Sequence, residues 1–514
     1  MRGVCDTYFS LFNSSSGDLK LHLYHDMSHR VLPSNMQGTA PSLGIGPMGL
    51  QEQQALLVVA ALRQDHKERK ERKKRTTQTL ETQQTTPSQS SFNVSQIVSR
   101  LYASQLPGQK IKADRLKCIL NKELAEGARS VASIIIDHLF ASTKLPFKVD
   151  DDLLEKLRWK TNEQGVRTPG VWTGEKFREP PKHFTEVEFS GWMNELAQAM
   201  SSATGSPVRR LWSHHTCNTP PVGALVPCKP DLVLLDTTYL ARIQDLNIAT
   251  DWALIRAFAE VTSEMKTPQR MHDTVKNKSF LTFNCQPARR LAISLSFNGA
   301  GEMALTLADR EGLLRMPETL LLPDGGPDVS LMLLRMLGIL MFGTDIDIGL
   351  DPHCEVDDFT GKVKAIMVDK TRFEIEKEVY SLDSLVGRGT QVWVVKRSTD
   401  QRRFIMKDAW TQRNRIDSEH KFLTKIRSSD LPDSIKNSLP MIMCGGDVTI
   451  NGVCDDNSYY RSRLGGSRTH RIHQRFVCEP IGEPLTAFRT KKEFISAIID
   501  VIHGGLCCFK QGHS

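Results

Sequence analysis

The chain has 514 residues, of which 39% are hydrophobic and 25% charged, and a mass of 57.8 kDa. That length suggests roughly two to four domains, and the composition excludes a chain that is disordered, collagen-like or repeat-dominated throughout. Lys+Arg 67 against Asp+Glu 59 gives a net +8, and the excess is local, because residues 396–475 hold 16 Lys/Arg and 9 Asp/Glu. A compact basic segment favours anionic partners such as nucleotide phosphates or nucleic acid, without choosing between them.

Eleven cysteines are scattered along the chain with no CxxC pair. That pattern predicts neither a disulfide framework nor a structural zinc site. The N-terminus, MRGVCDTYFSLFNSSSG, lacks the apolar core of a secretory signal. The most apolar run, Ser330 to Phe342, is too short to span a bilayer and carries Arg335. The expectation is an intracellular protein, cytoplasmic or nuclear, with no membrane partner.

Residues 1–92 read as a disordered basic leader. A Gly/Pro/Met-rich patch (Gly38 to Gly49) and a Gln/Thr/Ser-rich tract (Thr76 to Ser91) offer almost nothing apolar to bury. Between them, His66 to Arg75 (HKERKERKKR) is either a nuclear-import or nucleic-acid patch or a solvated helix or coil.

From Phe92 the pattern changes. Ile97, Val98, Leu101, then Leu116, Ile119, Leu120 and Leu124 recur at helical spacing, and a further helical stretch covers Gly191 to Met200. Short apolar runs bounded by turn residues predict strands at Asp231 to Leu235, Ala253 to Thr262, Arg290 to Phe297 and Glu302 to Ala308. Residues 93–370 therefore read as a mixed α/β domain. A second strand-rich block, 371–514, starts at Arg372 with RFEIEKEVY, QVWVV and RRFIMK. The fold class is α+β.

In that second block, Gly387-Arg388-Gly389-Thr390-Gln-Val392-Trp-Val394 resembles the Gly-rich loop of protein kinases, with Val392 in place of the third glycine. Such a strand–turn–strand brings backbone close to nucleotide phosphates, which side chains would obstruct. Phe404-Ile-Met-Lys407 follows on the next strand and matches the kinase V-A-I-K pattern. Glu419 then lies on a helical segment with Leu423 on the same face. Met441 to Cys444 and Arg475 to Gly482 fit further strands and a hinge, and Pro484 to Phe488 and Lys491 to His503 fit two successive helices.

GRGTQVWVV, KDAW (Lys407 to Trp410) and EPIGEPLTAF (Glu479 to Phe488) resemble the fungal-type protein kinase family. So do CKPDLVLLD (Cys228 to Asp236), ADREG (Ala308 to Gly312) and GLDP (Gly349 to Pro352), and the resemblance covers about residues 185–503. It implies a kinase-like small lobe, a twisted antiparallel sheet with one helix, preceded by a companion domain. It also implies ATP-dependent phosphorylation of protein Ser/Thr hydroxyls, with an unidentified protein as substrate. Nucleotide contacts would come from Gly387, Arg388, Gly389, Thr390 and Val394, with Lys407 on the phosphates and Glu419 pairing Lys407.

The chain departs from the family at the catalytic elements. Phosphoryl transfer needs the H-R-D-x-x-x-x-N and D-F-G residues, which orient the acceptor and hold Mg²⁺. Neither follows Lys491, and His470-Arg-Ile472 and Asp358-Phe-Thr-Gly361 precede the hinge. The reading is a family member truncated before its catalytic loop, with no catalytic Asp, weak ATP binding and no Mg²⁺ site of its own. A nucleotide-binding or scaffolding pseudokinase is one alternative.

A metal-dependent nuclease is the other. Pro230-Asp231 opens a strand, and Glu260-Val-Thr262 with Glu264-Met-Lys266 follow about thirty residues later. A carboxylate pair plus a lysine on adjacent strands holds a divalent ion that polarises a phosphodiester and activates water. The plainer reading has Asp231 at a strand start and Glu260 capping a strand end. His214-His215-Thr-Cys217 reads as a loop, and Arg461, Arg463, Arg468, Arg471 and Arg475 as a solvated stretch between two strands.

Overall fold

The computed structural model describes residues 113–124, 129–130, 139–158, 185–263, 268–299, 302–315, 319–320, 326–414, 418–429, 432–437, 439–461, 470–483 and 487–500. The leader, its basic run at 66–75, Glu264, Lys266, Arg463 and Arg468 lie outside the described residues. The chain divides into two compact units. One takes Asn93–Ser418 with Met443–Cys478, and the other includes Glu419–Ile442 and Glu479–Ser514.

The larger unit holds two sheets. The first is built from β1 (Arg129–Ser130), β2 (Arg210–Ser213), β3 (Leu232–Asp236), β4 (Ala257–Val261), β5 (Ala292–Phe297), β6 (Glu302–Asp309), β7 (Gly312–Arg315) and β8 (Thr319–Leu320). Their order is β1-β7-β6-β5-β4-β3-β2, with β8 also on β6. β2, β3 and β4 form an antiparallel meander, and β5 then pairs β4 in parallel. A parallel partner needs a crossover, and α5 (Pro268–Cys285) supplies it.

Both faces of this sheet are covered, so its strands read as continuous apolar runs rather than alternating ones. Leu232 and Leu234 pack with α3 (Glu186–Thr204) and α6 (Gly326–Phe342). Val233 and Leu235 face the opposite way, toward α1 (Ala113–Glu123), α4 (Thr237–Leu246) and α5. Leu234 is fully buried, and truncating it to Ala would cost about 2–5 kcal/mol. A short helix, α2 (Asp151–Lys156), adds Leu153 and Leu154 to the first of these cores. The apolar run that ends at Phe342 is thus a core helix, and among the described residues no helix is long and apolar enough to cross a membrane.

α3 begins where Thr185 accepts the Glu188 N–H and ends at Gly205, whose φ of +73° suits a residue without Cβ. One expected strand is shorter than its sequence suggests. The apolar run from Ala253 starts as a 3₁₀ turn at Trp252–Leu254, held by the Ala253 N–H donating to Asp251 Oδ1 at 2.8 Å. The strand begins only at Ala257.

The second sheet contains β9 (Cys354–Val356), β10 (Val363–Val368), β11 (Thr371–Ser381), β12 (Gln391–Arg397), β13 (Arg403–Gln412), β14 (Met441–Asp447) and β17 (Arg471–Glu479). A separate hairpin joins β15 (Thr449–Ile450) to β16 (Val453–Cys454) through Asn451-Gly452, both at positive φ. The seven strands lie in the order β14-β17-β13-β12-β11-β10-β9. β13 is therefore central, antiparallel to β12 on one side and to β17 on the other. Register shifts at Ile375/Lys377 and Glu378/Tyr380 bend β11. One face carries a small core of Ile366, Phe373, Trp393, Val395, Phe404, Met406 and Val477.

In the smaller unit, α7 (Glu419–Ser428) buries Leu423 and Ile426, and α8 (Asp433–Lys436) follows. Arg427 ties them by donating to the carbonyls of Lys436 at 2.7 Å and Leu439 at 2.9 Å. A further helix covers 491–500, while residues 484–486 lie outside the described set.

Candidate functional site

The glycine loop connects β11 to β12. It closes through the Leu382 N–H donating to Thr390 O at 2.9 Å. Gly387 and Gly389 adopt φ of +126° and +48°, which residues with a Cβ enter only at a cost. Elements of the first sheet hold this loop at several points. Asn284 Nδ2, on α5, donates to Asp383 Oδ1 at 2.5 Å. Glu123 Oε2, on α1, accepts the N–H groups of Leu385 and Val386 at 3.1 and 3.3 Å. Arg310, in the turn between β6 and β7, accepts the Gly387 N–H at 2.9 Å and donates to Ser384 O at 2.6 Å. Leu385 is fully buried in the core on the α5 face of the first sheet.

Lys407 sits on β13, paired in register with Val392 on β12 and Phe476 on β17. Register partners share a face and successive residues alternate, so Val394 and Lys407 point to the same side. Lys407 is 1% exposed, and Thr390 and Val394 are also buried. Glu419 opens α7 in the smaller unit.

The opposite face of β13 and β17 carries a polar network that reaches elements of the first sheet. His473 bonds Asp408 through Nε2 at 2.8 Å and Asp455 through Nδ1 at 2.9 Å, and its ring stacks on Trp410. Arg475 donates to Asp408 and, through Nη2, to Asp351 at 2.6 Å. Arg290, just before β5, grips Asp455 with two bonds of 2.9 and 2.8 Å. Beside it, Arg461 in α9 (Ser458–Arg461) grips Asp309 at 2.8 and 2.6 Å. A cavity of about 10 Å³, the size of one water, is lined by Arg289, Arg290, Arg310, Asp351, Asp408 and His473.

Electrostatics follow from burial and pairing. Burial alone pushes His473 down, but the Asp408 charge and the bonds to Asp408 and Asp455 outweigh it and raise it to about 9. Asp455 would rise with burial, yet its bond to His473 and the Arg290 charge lower it to about 2. Burial raises Glu123 to about 7 against the opposing pull of the Val386 and Leu385 N–H groups and Arg310.

This network corrects the reading of the arginine-rich stretch as solvated. Arg461 and Arg475 are 4% exposed, and both are ion-paired across the two sheets. The available signal was the alternation Arg471, His473, Arg475 along an otherwise strand-like run, which puts all three on one face. The family motifs converge here too. Asp309 and Arg310 come from ADREG, Asp351 from GLDP, and Asp408 and Trp410 from KDAW.

A second charged cluster lies on the first sheet. Asp231 precedes β3, and extending the register Leu232↔Ala259 by one places it opposite Glu260 on β4. Asp231 Oδ2 accepts the Val261 N–H at 2.8 Å. The lysine at this spot is Lys278 of α5, ion-paired with Glu260. Burial raises Glu260 to about 7 against the attraction of Lys278, with Asp231 adding to the rise. His214 and His215 stack in a turn closed by the Cys217 N–H donating to His214 O at 3.1 Å. Among the described residues, no group of three or more His, Cys, Asp or Glu is arranged to hold a metal, and every cysteine is free.

No curated protein and no solved structure shows detectable similarity to the chain. The family model described as fungal protein kinase matches residues 229–470, which take in strands of both sheets and the glycine loop and stop just ahead of β17. Residues 229–470, just under half of the chain, are thus similar to the fungal protein kinase family.

Proposed function

We propose that the second sheet is the nucleotide-binding part of a fungal-type kinase unit, with ATP as its ligand and the first domain as its structural companion. One observation carries this reading. Lys407 lies on the central strand beside the strand that leaves the glycine loop, with Val394 on its own face. That order suits a loop over the phosphates, an apolar residue over the adenine and an ammonium at the α- and β-phosphates.

We assign the second sheet nucleotide binding and scaffolding. The phosphorylation of protein Ser/Thr hydroxyls belongs to the family's activity, in which positioning and metal-borne charge supply most of the catalysis. The test is a titration of the purified chain with a fluorescent ATP analogue, with and without Mg²⁺, beside Lys407→Ala. Weak binding with little dependence on Mg²⁺, lost in Lys407→Ala, is the expected result. Equal binding by wild type and Lys407→Ala would remove Lys407 from the site. Transfer of labelled phosphate abolished by Lys407→Ala would replace the scaffolding reading by an active kinase.

A further inference from the structure

The cavity between the two sheets is lined by more positive charge than negative. Arg289, Arg290, Arg310 and His473 stand on its wall with Asp351 and Asp408. Two further charges join this set through direct bonds. Arg475 donates to Asp408 and Asp351, and Asp455 is bonded to Arg290 and His473. The connected set therefore holds five cations against three carboxylates, a surplus of two positive charges. His473 counts among the cations because, despite its burial, Asp408 and Asp455 keep it protonated.

The charges around the set pair among themselves. Arg210 and Arg256 meet Asp236, Arg210 also meets Asp345, and Arg461 meets Asp309. Arg471 faces Glu311. Glu123 lies close to Arg310 and titrates at about 7 because it is buried, so even when fully ionised it leaves one positive charge over.

The wall also offers a donor. Arg310 is 3% exposed, and its Nε is buried with no hydrogen-bond partner among the described residues. Gly389 stands on the same wall, and a Cβ there would lie 2.6 Å from that Nε. Glycine thus keeps the space beside the donor clear. Burial pushes Arg310 down to about 10 and Arg289 to about 9, and both stay charged at neutral pH. A buried charge needs a counter-charge, and a buried N–H needs an acceptor. Water supplies an acceptor without a charge. A monatomic anion supplies both, and a cavity of about 10 Å³, the size of one water, has no room for phosphate, sulfate or a carboxylate ligand.

We propose that this cavity is a halide site, in which chloride accepts from Arg310 Nε beside Gly389 and balances the surplus positive charge between the two sheets. The ion joins the glycine loop to the turn that carries Arg310. Asp408, Trp410 and His473 lie on the sheet face opposite Lys407, so the site is separate from the nucleotide reading and does not rest on it.

The test uses the full chain, dialysed into gluconate and titrated with sodium chloride at constant ionic strength, without nucleotide. Binding is read from the chlorine NMR line width, and stability from the urea midpoint. Wild type should broaden the chloride line. Its midpoint should rise with chloride and then level off, because an ion held only by the folded state stabilises it by mass action. Bromide should compete with chloride, and sulfate should not. Arg310→Lys, which keeps the charge and loses Nε, should bind chloride about tenfold more weakly. Bromide soaked into wild-type crystals should give an anomalous peak beside Arg310, which locates the ion without any variant. A wild-type midpoint or line width indifferent to chloride overturns the proposal. So does equal chloride affinity in wild type and a folded Arg310→Lys, displacement of chloride by sulfate, or bromide peaks only elsewhere.

Discussion

The Arg310 guanidinium packs against Gly389 so closely that a Cβ on that glycine would stand 2.4 Å from Arg310 Cζ. Arg310 is 3% exposed and bonded to Ser384 O, so it has little room to retreat. The demand for glycine at this point of the loop therefore comes from a side chain in the turn of the first sheet as well as from the backbone.

Gly389→Ala should destabilise the larger unit by about 2–3 kcal/mol, combining left-handed strain with displacement of a buried side chain. Gly205→Ala is the control. Its φ is +73° but open space surrounds the added methyl, so the cost should be about 1 kcal/mol. Urea denaturation followed by tryptophan fluorescence measures both, and equal costs would remove Arg310 from the explanation.

Glu123 is held near pKa 7 by burial, above its unfolded value of 4.5. The folded state thus holds this proton more tightly, and stability falls as pH rises from 4.5 through 7. Glu123→Gln keeps an oxygen for the Leu385 and Val386 N–H groups and removes the charge. It should gain on wild type above pH 7, by up to about 3 kcal/mol, and lose that advantage towards pH 4.5. Urea midpoints across pH 5–8 decide it; a constant difference would count against the buried charge.

His473 has the opposite sign. Its folded pKa, raised from 6.5 to about 9, contributes stability that is complete below pH 6.5 and lost as pH rises through 9. Asp455, lowered from 3.8 to about 2, contributes above pH 3.8 and is lost as pH falls toward 2. Wild-type stability should therefore decline between pH 7 and 10, while His473→Gln is less stable at pH 6 and nearly flat over that range. Parallel curves for the two proteins would contradict the charged imidazolium.

Arg461 and Asp309 bury opposite charges, at 3% and 2% side-chain exposure, between the two sheets. Arg461→Met takes the guanidinium away from the buried Asp309 carboxylate, and should cost about 3–5 kcal/mol. Adding Asp309→Asn keeps an acceptor for the Glu311 N–H, which donates to Asp309 Oδ1 at 2.7 Å, and should recover most of that loss. A double-mutant cycle supplies the coupling, and an additive result would show that the pair is not coupled.

Much of the architecture was legible locally. DLVLL, the runs at 292–297 and 302–309, and the succession QVWVV then RRFIMK declared strands, because a strand buried on both faces must be apolar almost throughout. Glycines at 387 and 389 and the lysine at 407 announced a loop and a following strand from spacing alone. The 3₁₀ turn at Trp252–Leu254 was hidden, since an apolar run does not reveal that Asp251 will capture a backbone N–H.

The chain's sequence by itself determined which segments are apolar, which turn, and which family motifs it carries. Only the tertiary structure decided who meets whom. Asp309 lies 152 residues from Arg461, Asp351 lies 124 from Arg475, and Glu123 lies 262 from Leu385. A charged residue in a sequence reads as solvated because exposure is the common fate of charge. Whether it is buried depends on an opposite charge arriving from a distant segment, and that pairing is set by the packing of two sheets. For the same reason the spacing of Glu264 and Lys266 named one lysine for the acidic pair, while the crossover of α5 delivered another, Lys278.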